Sequence, residues 1–355
     1  MRNSTELAFT AGVKYKGKLY FSAMYLNGLF SYDFLSGETC AIGIFEKEGI
    51  LDWLHFKAFL IGSEAWFMPL RAEYIACVNL NTMEIKYIDI PNREQSGLDA
   101  FVEGIKYGKD LVFAPRYLHA FVRIDTELKT ATELYRSDIS MDQWSRGIIL
   151  DRDILHVTNL DGEIGMDIDL NTGHCKNLKS SVGMGGYYSS VGVDREAWMI
   201  PYDTNELVIE DLDSRERRTI NTGSGFYRGW LLDNGTILLP AKKDVCFTRI
   251  QKKDSQIIQL KNVGTYVPIG SWSEINVVDT DDGSYIGGSS DGMIVQYFKE
   301  EDMIHTYQAV IDEDQLIDSI ISKYKSIGLF DDTMHNNEVL KEGFGFTLSG
   351  FLEMV

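Results

Sequence analysis

A short alternation of apolar and polar residues, interrupted by tight turns, repeats along this chain. The stretch KLYFSAMYLNGLFSYDFLSGETCAIGIF, which begins at Lys18, reads as three strands joined by turns, and FTAGVKY supplies another strand just before it. Alternation over four to eight residues, bounded by turn residues, is typical of half-buried β-strands. The pattern therefore predicts a four-stranded antiparallel unit, and recognisable versions of it recur.

The second strand of the unit gives the clearest column of the repeat. Its windows KLYFSA, EAWFMP, DLVFAP, DILHVT, EAWMIP, GTILLP and GSYIGG are spaced by 46, 46, 43, 43, 39 and 48 residues. The mean of about 44 is typical of propeller blades. A residue without an N–H suits the point where a strand leaves its ladder, and four of the six prolines end one of these windows: Pro69, Pro115, Pro201 and Pro240.

Two weaker columns support the same unit. An Asp or Asn that can bond nearby backbone N–H groups comes just before the turn after the third strand, at Asp33, Asn79, Asp125, Asp169 and Asp211, and is replaced by Ile250 and Phe298 in the last two repeats. Small residues that allow close approach recur in the first strand, at Gly12, Gly104, Gly147 and Gly229.

Seven such units bury their faces only when they stack around an axis. The sequence therefore predicts an all-β fold, a seven-bladed β-propeller of four-stranded antiparallel blades, over residues 1–310. Residues 311–355 are predicted to form a short C-terminal helix and tail packed on the propeller, because residues 312–327 carry apolar side chains at helical spacing. A helix that binds a partner is the less favoured alternative. Either terminus could complete a blade.

The repeat, in which an apolar strand leads into a D-x-x-x-G-type turn, is similar to the loose bacterial propeller families of the YVTN and quinoprotein-like kind. The resemblance covers roughly residues 8–310, by repeat period. It implies the architecture, and it implies no particular activity or specific family. The WD dipeptide and the Gly-Gly doublet of Kelch repeats are not in register here.

The composition of the chain argues against some kinds of binding partner and some cellular locations. The chain of 355 residues has a formal net charge of −19, which argues against binding to nucleic acid and to an anionic membrane. Four cysteines lie far apart without a C-x-x-C pair, so buried free thiols are expected. The sequence shows no apolar leader and no apolar run long enough to span a membrane. A cytoplasmic protein is therefore expected.

Propellers bind ligands over the mouth of the central channel, so the first-strand column matters most. Its aligned residues are Ala11, His55, Glu103, Arg146, Ser189, Arg228 and Glu274. Adjacent blades would place Glu103 beside Arg146 and Arg228 beside Glu274. Since buried charges are costly unless paired or hydrated, these residues indicate either structural ion pairs around a channel or a binding ring with acid–base potential.

Residues that follow the second strand belong to the same face. Arginine, lysine and tyrosine gather there although the chain is acidic overall, at Arg71, Arg116, Tyr202 and Lys242 among others. A local cationic surface attracts carboxylate, phosphate or sulfate groups, because the local field depends on nearby charges. These four residues are candidate ligand-binding residues together with the ionisable members of the column: His55, Glu103, Arg146, Arg228 and Glu274.

The sequence contains no standard catalytic or metal-binding motif in the structural setting that the motif requires. The G-S-S-D-G stretch from Gly288 to Gly292 matches a nucleophile elbow but lies in a predicted β-hairpin. The six histidines lack metal-ligand spacing, and no cofactor is expected. We expect a non-catalytic propeller that binds a protein partner or a small polar or anionic ligand on the central-channel face. The alternative is a propeller lyase or hydrolase that acts on an anionic saccharide or peptide at the same face.

Overall fold

A computed structural model describes residues 4–93, 99–137, 144–177, 186–226, 229–232, 235–240, 246–253, 256–261, 275–289 and 292–328. Within these residues the chain forms seven antiparallel meanders of four strands, and in each meander the strands pair in the order of the sequence. Each meander is numbered here as a blade, from the N-terminus. The architecture is that of a β-propeller.

The strands follow one another as the repeat predicts. After β1 (Ser4–Glu6), the first blade holds β2 (Ala11–Tyr15), β3 (Lys18–Ser22), β4 (Leu29–Asp33) and β5 (Thr39–Gly43). The second holds β6 (His55–Ile61), β7 (Glu64–Pro69), β8 (Tyr74–Asn79) and β9 (Ile85–Asp89), and the third β10 (Phe101–Tyr107), β11 (Asp110–Pro115), β12 (Ala120–Asp125) and β13 (Thr130–Arg136). The fourth holds β14 (Trp144–Asp151), β15 (Ile154–Asn159), β16 (Ile164–Asp169) and β17 (Cys175–Asn177).

The remaining blades continue this order. The fifth holds β18 (Tyr187–Val193), β19 (Glu196–Pro201), β20 (Glu206–Asp211) and β21 (Arg217–Asn221). The sixth holds β22 (Trp230–Leu232), β23 (Thr236–Pro240), β24 (Cys246–Gln251) and β25 (Ile257–Lys261). The seventh holds β26 (Ile275–Thr280), β27 (Tyr285–Ser289), β28 (Met293–Phe298) and β29 (Met303–Gln308), and β30 (Val310–Asp312) follows it.

The core is divided among the interfaces between consecutive blades. Buried Trp66 and Phe113 belong to the cluster between blades two and three, and Leu238 and Val295 to the cluster between blades six and seven. The last cluster joins blade seven back to blade one through residues such as Ile286 and Phe21. Every blade thus buries apolar side chains against both neighbours, which a single four-stranded sheet cannot do alone.

Ring closure uses both ends of the described chain, but neither end completes a blade. Strand β1 pairs antiparallel with β30, with Ser4 opposite Asp312. The first strands of blades one and seven pair in parallel, with Val13 opposite Asp279. All four strands of each blade therefore come from one continuous segment, and these two short pairings add backbone links between the two ends of the ring to the apolar cluster between blades seven and one.

The predicted C-terminal helix is present and packs on the ring. It runs from an α-turn at Glu313–Leu316 through a π-turn at Ile317–Ile321 to an α-turn at Ser322–Ser326. The Asp312 carboxylate caps its start by accepting the backbone N–H of Asp314 at 3.0 Å. Its apolar stripe is buried in the cluster between blades seven and one, and Tyr324 donates a hydrogen bond to the carbonyl of Asn27 at 2.7 Å. None of the helical segments in the described residues is long and apolar enough to span a membrane.

The repeat columns have the predicted structural roles. The four prolines end β7, β11, β19 and β23. At Gly147 an added Cβ would lie 2.1 Å from Ser190 Oγ, because the first strands of blades four and five approach closely. Asp211 Oδ1 accepts the N–H groups of Asp213 and Ser214 at 3.0 and 2.8 Å, which stabilises the turn. In the sixth blade the third strand ends one residue later than the sequence alignment placed it, at Gln251.

Candidate functional site

One end of each blade carries the start of its first strand and the turn between its second and third strands. We call this end the channel face, because it is where the sequence places the candidate residues. Within the described residues, His55, Arg71, Glu103, Arg116 and Tyr202 can be placed there with their side chains. Arg146 lies in β14 with its side chain outside the described residues, and Arg228, Lys242 and Glu274 lie outside them altogether.

The pairing of first and second strands corrects the alignment of the first-strand column. In blade three Glu103 lies opposite Ala114, the penultimate residue of its second-strand window, and in blade five Ser189 lies opposite Ile200 in the same way. In blade two the residue in this register is Lys57. A β-bulge precedes this position in all three blades, so His55 corresponds to Phe101 and Tyr187, which also lie opposite the proline that ends the second strand. The assignment of His55 to the column is therefore wrong by two residues, and Lys57 is the ionisable residue of that blade.

The corrected column brings two opposite charges together. Lys57 Nζ lies 2.5 Å from Glu103 Oε1 and also donates to the carbonyl of Gly104 at 3.1 Å. Glu103 Oε1 accepts the backbone N–H of Gly104 at 2.9 Å. The side chains of Lys57 and Glu103 are 22% and 9% exposed. Each therefore stabilises the charge of the other, which would be costly to bury alone. The predicted partner of Glu103, Arg146, is not tested because its side chain lies outside the described residues.

His55 lies in the core between blades one and two. Its Nδ1 is 2.9 Å from Ser22 Oγ, and its ring centre lies 4.5 Å from that of Phe45 and 5.4 Å from that of Phe67. Its Nε2 has no hydrogen-bond partner among the described residues. Burial lowers the pKa of His55 to about 3 because the apolar surroundings disfavour the charged ring. His55 therefore stays neutral at physiological pH and faces other core side chains.

Two arginines of the channel face share one carboxylate. Arg71 Nε lies 3.3 Å from Asp99 Oδ1, and Arg116 Nη1 lies 2.5 Å from Asp99 Oδ2. Arg71 is also paired with Asp52. The guanidinium-bearing side chains remain 38% and 31% exposed. We call Asp52, Arg71, Asp99 and Arg116 the arginine cluster; it holds two planar donors from adjacent blades on one surface.

Neighbouring groups fix the loops that carry this cluster. Arg93 donates to the carbonyl of Arg71 at 3.2 Å and also to that of Ala72. The buried Glu48 carboxylate accepts the backbone N–H groups of Glu73 and Tyr74 at 2.7 and 3.0 Å. Burial raises the pKa of Glu48, and those two N–H groups oppose the shift. The turn after the second strand of blade two is thus held from both sides.

Side chains of strand β26 in the seventh blade bind groups in blades two and three. Asn276 Nδ2 donates to the carbonyl of Phe56 at 2.6 Å, and the Asp279 carboxylate accepts the N–H of Leu60 at 2.7 Å. Asp279 is also paired with Lys106 of blade three. Side chains of one inner strand therefore bridge blades that are not neighbours in the ring.

The remaining predicted residue, Tyr202, lies on blade five. Its ring centre is 5.1 Å from that of Tyr188, at an interplanar angle of 30°, so it forms an aromatic patch separate from the arginine cluster. Within the described residues no group of three His, Cys, Asp or Glu side chains is arranged to hold a metal ion. The described part of the channel face is therefore a surface of paired charges with two partly exposed guanidinium groups.

Comparison with known proteins finds similarity in structure and none in sequence. No protein-family model matches the chain, and no curated protein matches its sequence. The structural neighbours are β-propeller proteins. The virginiamycin B lyase of Staphylococcus aureus is 14% identical with a TM-score of 0.60, and the match covers 82% of this chain and 96% of that chain.

Two further structures illustrate the range of proteins with this fold. PorZ, a surface component of the type-IX secretion system of Porphyromonas gingivalis, is 12% identical with a TM-score of 0.58 over 87% of this chain and 39% of that chain. The dihydro-heme d1 dehydrogenase NirN is 14% identical with a TM-score of 0.56 over 86% and 68%. At such identities the similarity shows the fold and carries no assignment of activity.

Proposed function

We propose that this protein is a non-catalytic propeller that binds an anionic group, on a small ligand or a protein partner, at the arginine cluster of the channel face. The observation that carries the proposal is the sharing of Asp99 by Arg71 and Arg116. A carboxylate between two guanidinium groups holds them in place, and their other N–H groups can then bind an incoming oxyanion with little loss of side-chain freedom.

The state of the acid–base candidates favours binding over catalysis. A general acid or base must come within hydrogen-bond reach of the reacting atom. His55 is enclosed between aromatic rings, and the Glu103 carboxylate is engaged by Lys57. Neither group offers an exposed base to a ligand in the described geometry. The enzyme alternative has the fold of the virginiamycin B lyase as its support, and a fold is weak support for an activity.

Calorimetric titration with a panel of anions tests the proposal. The panel contains citrate, a glucuronic-acid oligosaccharide and a short peptide with a free C-terminal carboxylate. We expect at least one of these probes to bind, and Arg71→Ala and Arg116→Ala each to weaken it about tenfold or more. Charge-assisted hydrogen bonds contribute roughly 1.5–3 kcal/mol, and about 1.4 kcal/mol corresponds to tenfold.

Arg123→Ala is the matched control. Arg123 is 35% exposed and paired with Asp110 at 2.5 Å, so it resembles the cluster arginines in exposure and pairing, but it lies in the third strand of blade three. Its replacement should leave the affinity unchanged. Equal losses in all three variants, or none in the cluster variants, would show that the cluster is not the site. Mass spectrometry of the incubated probes distinguishes the enzyme alternative, because turnover would produce a cleaved or eliminated product.

A further inference from the structure

The surface beside the arginine cluster carries an exposed aromatic ring. Tyr117 follows Arg116 in the turn between β11 and β12 of blade three, and the residue is 39% exposed. Among the exposed large apolar side chains of the described residues it is the single aromatic one. A tyrosine in this position, with an apolar ring and a polar tip, is typical of a surface that binds another molecule.

The backbone of this turn is held at several points. The N–H of Tyr117 donates to the carbonyl of Asp99 at 3.2 Å, and the carbonyl of His119 accepts the N–H of Ser137 at 2.7 Å. Leu118 is partly buried and packs against the core between blades two and three. His119 has φ 60°, which turns the chain into β12. The position of Tyr117 on the surface therefore follows from a well-anchored turn.

One face of the Tyr117 ring is covered by Arg116. The guanidinium carbon of Arg116 lies 5.3 Å from the ring centre, within the range of a cation–π interaction. The same guanidinium group lies 2.5 Å from the Asp99 carboxylate, so two neighbours fix its orientation. No second ring lies against Tyr117 in the described part of the chain. The exposed surface of the ring therefore lies on its other face and its edge.

A similar pair at the opposite end of blade three has a structural role instead. The guanidinium carbon of Arg123 lies 5.2 Å from the ring centre of Tyr107. The Tyr107 hydroxyl donates to Asp153 of blade four at 2.6 Å and lies 3.2 Å from the side-chain oxygen of Asn171. The Tyr117 hydroxyl has no hydrogen-bond partner among the described residues. A link between blades therefore explains the Tyr107 ring and does not explain the Tyr117 ring.

We propose that the ligand bound at the arginine cluster carries a planar aromatic ring, a short spacer away from its carboxylate, and that Tyr117 stacks on this ring. This assignment rests on the proposed function and names the class of ligand for the same site. Stacked aromatic rings attract each other beyond the effect of their buried area, and a tyrosine loses little conformational freedom on binding. Because Arg116 covers one face of Tyr117, the ligand ring uses the other face, and the spacer lets the carboxylate reach the N–H groups of Arg71 and Arg116.

Two kinds of molecule share this chemistry. One is a small acid such as phenylpropionate. The other is the end of a protein chain whose last residue is phenylalanine or tyrosine, since a similar spacer separates its free carboxylate from its ring. In both cases the carboxylate binds the guanidinium groups and the ring stacks on Tyr117.

The test compares two acids of equal charge and similar size, phenylpropionate and cyclohexylpropionate, in calorimetric titration of the full chain at constant ionic strength. We expect the aromatic acid to bind about threefold to tenfold more tightly. Apolar contact alone would favour the cyclohexyl acid, which is the more hydrophobic of the two. Tyr117→Leu should abolish the preference for the aromatic acid, and Tyr117→Phe should restore it. Equal affinities for the native chain, or a preference that Tyr117→Leu leaves unchanged, would overturn the proposal.

Tyr107→Leu is the matched control, because it removes a ring that an arginine covers at the opposite end of the same blade. Its preference for the aromatic acid should equal that of the native chain, and an equal loss in both leucine variants would also overturn the proposal. Arg71→Ala separates this result from the proposed function. If Arg71→Ala weakens citrate and both acids while the native chain shows no preference, the aromatic ring alone is rejected. If Arg71→Ala weakens none of them, the anion site itself is rejected.

The tripeptide glycyl-glycyl-phenylalanine distinguishes the two sources of the ligand. Tighter binding than that of phenylpropionate would identify the end of a partner chain, and weaker binding would identify a small acid. The tripeptide amide should bind at least about tenfold more weakly than the free acid, because it lacks the charged group. An amide that binds as tightly as the acid would contradict the assignment of the carboxylate to the arginine cluster.

Discussion

Lys57 Nζ lies 2.5 Å from Glu103 Oε1, and the two residues occupy the same register position in the first strands of adjacent blades. Their pairing links blade two to blade three near the ring axis, where both side chains are largely withdrawn from water. Removal of one partner leaves the other charge without compensation, whereas removal of both does not.

We therefore expect Lys57→Met to reduce the free energy of unfolding by about 2–3 kcal/mol. Glu103→Gln should have a similar effect, and the double variant should be more stable than the sum of the single losses predicts. Urea denaturation monitored by tryptophan fluorescence measures this. Lys109→Met, which breaks a fully exposed pair with Glu127, should change little. Additive losses in the double variant would contradict the pairing.

The buried His55 predicts a specific dependence of stability on pH. Its pKa is lowered from 6.5 to about 3 in the folded protein, so between these values the unfolded chain binds a proton that the folded protein does not. Stability is then fully present above about pH 6.5 and falls as the pH decreases. The expected slope is about 1.4 kcal/mol per pH unit for one group.

His55→Gln isolates this contribution, because the amide can still bond Ser22 but does not titrate. Denaturation midpoints between pH 7 and 5 should decrease more steeply for the native chain than for the variant. This window lies above the range in which most carboxylates titrate. Parallel pH profiles would mean that the folded protein admits the protonated ring, contrary to its position between Phe45 and Phe67.

The bridge from Asp279 to Leu60 predicts that the centre of the ring contributes to stability. Asp279→Ala removes the acceptor of a backbone N–H and the partner of Lys106, so we expect a loss of about 1–2 kcal/mol. Asp213→Ala is a suitable comparison, because Asp213 is 62% exposed and paired with Arg195. Chemical denaturation of the two variants side by side should show a clear loss only for Asp279→Ala.

Close approach of first strands predicts a severe effect at one glycine. In Gly147→Ala the new Cβ would meet Ser190 Oγ at 2.1 Å and Ser190 N at 2.6 Å, and the backbone atom cannot move aside without shifting a strand. A loss of about 2–3 kcal/mol or more is expected from overpacking. Gly49→Ala, where the closest atom is 3.9 Å away and φ is ordinary, should be tolerated. Thermal unfolding of both variants gives the comparison.

The repeat could be predicted from the sequence because the same residue types recur at equivalent strand ends and turns. Pro69 and Asp211, for example, occupy the strand end and the turn that their residue types favour. The error at His55 arises because residues 54–56 were matched to the first-strand column in place of residues 56–58; the bulge is not the cause, since blades two, three and five carry it at the same position. Ala58, which lies opposite Phe67 as Gly104 lies opposite Phe113, is the small residue that could have corrected the alignment.

Contacts between polar side chains of different blades could not be predicted from the sequence as the strands could. Asp99 lies two residues before the first strand of blade three, and no periodic pattern indicates that it joins Arg71 to Arg116. The link between Asp279 and Leu60 joins residues 219 positions apart. Such contacts depend on how blades are rotated about the axis, which is set by packing across the whole ring rather than by any local segment.

The fastening of the ring has a consequence for how the molecule comes apart. Strands β1 and β30 contribute three residues each, and every blade is made from an uninterrupted stretch of chain. The seam between the first and seventh blades can therefore separate while all seven sheets keep their own hydrogen bonds. A pulling force applied to the two ends of the described chain would first load the C-terminal helix and then this seam. The first and seventh blades would therefore separate before any single blade unfolds.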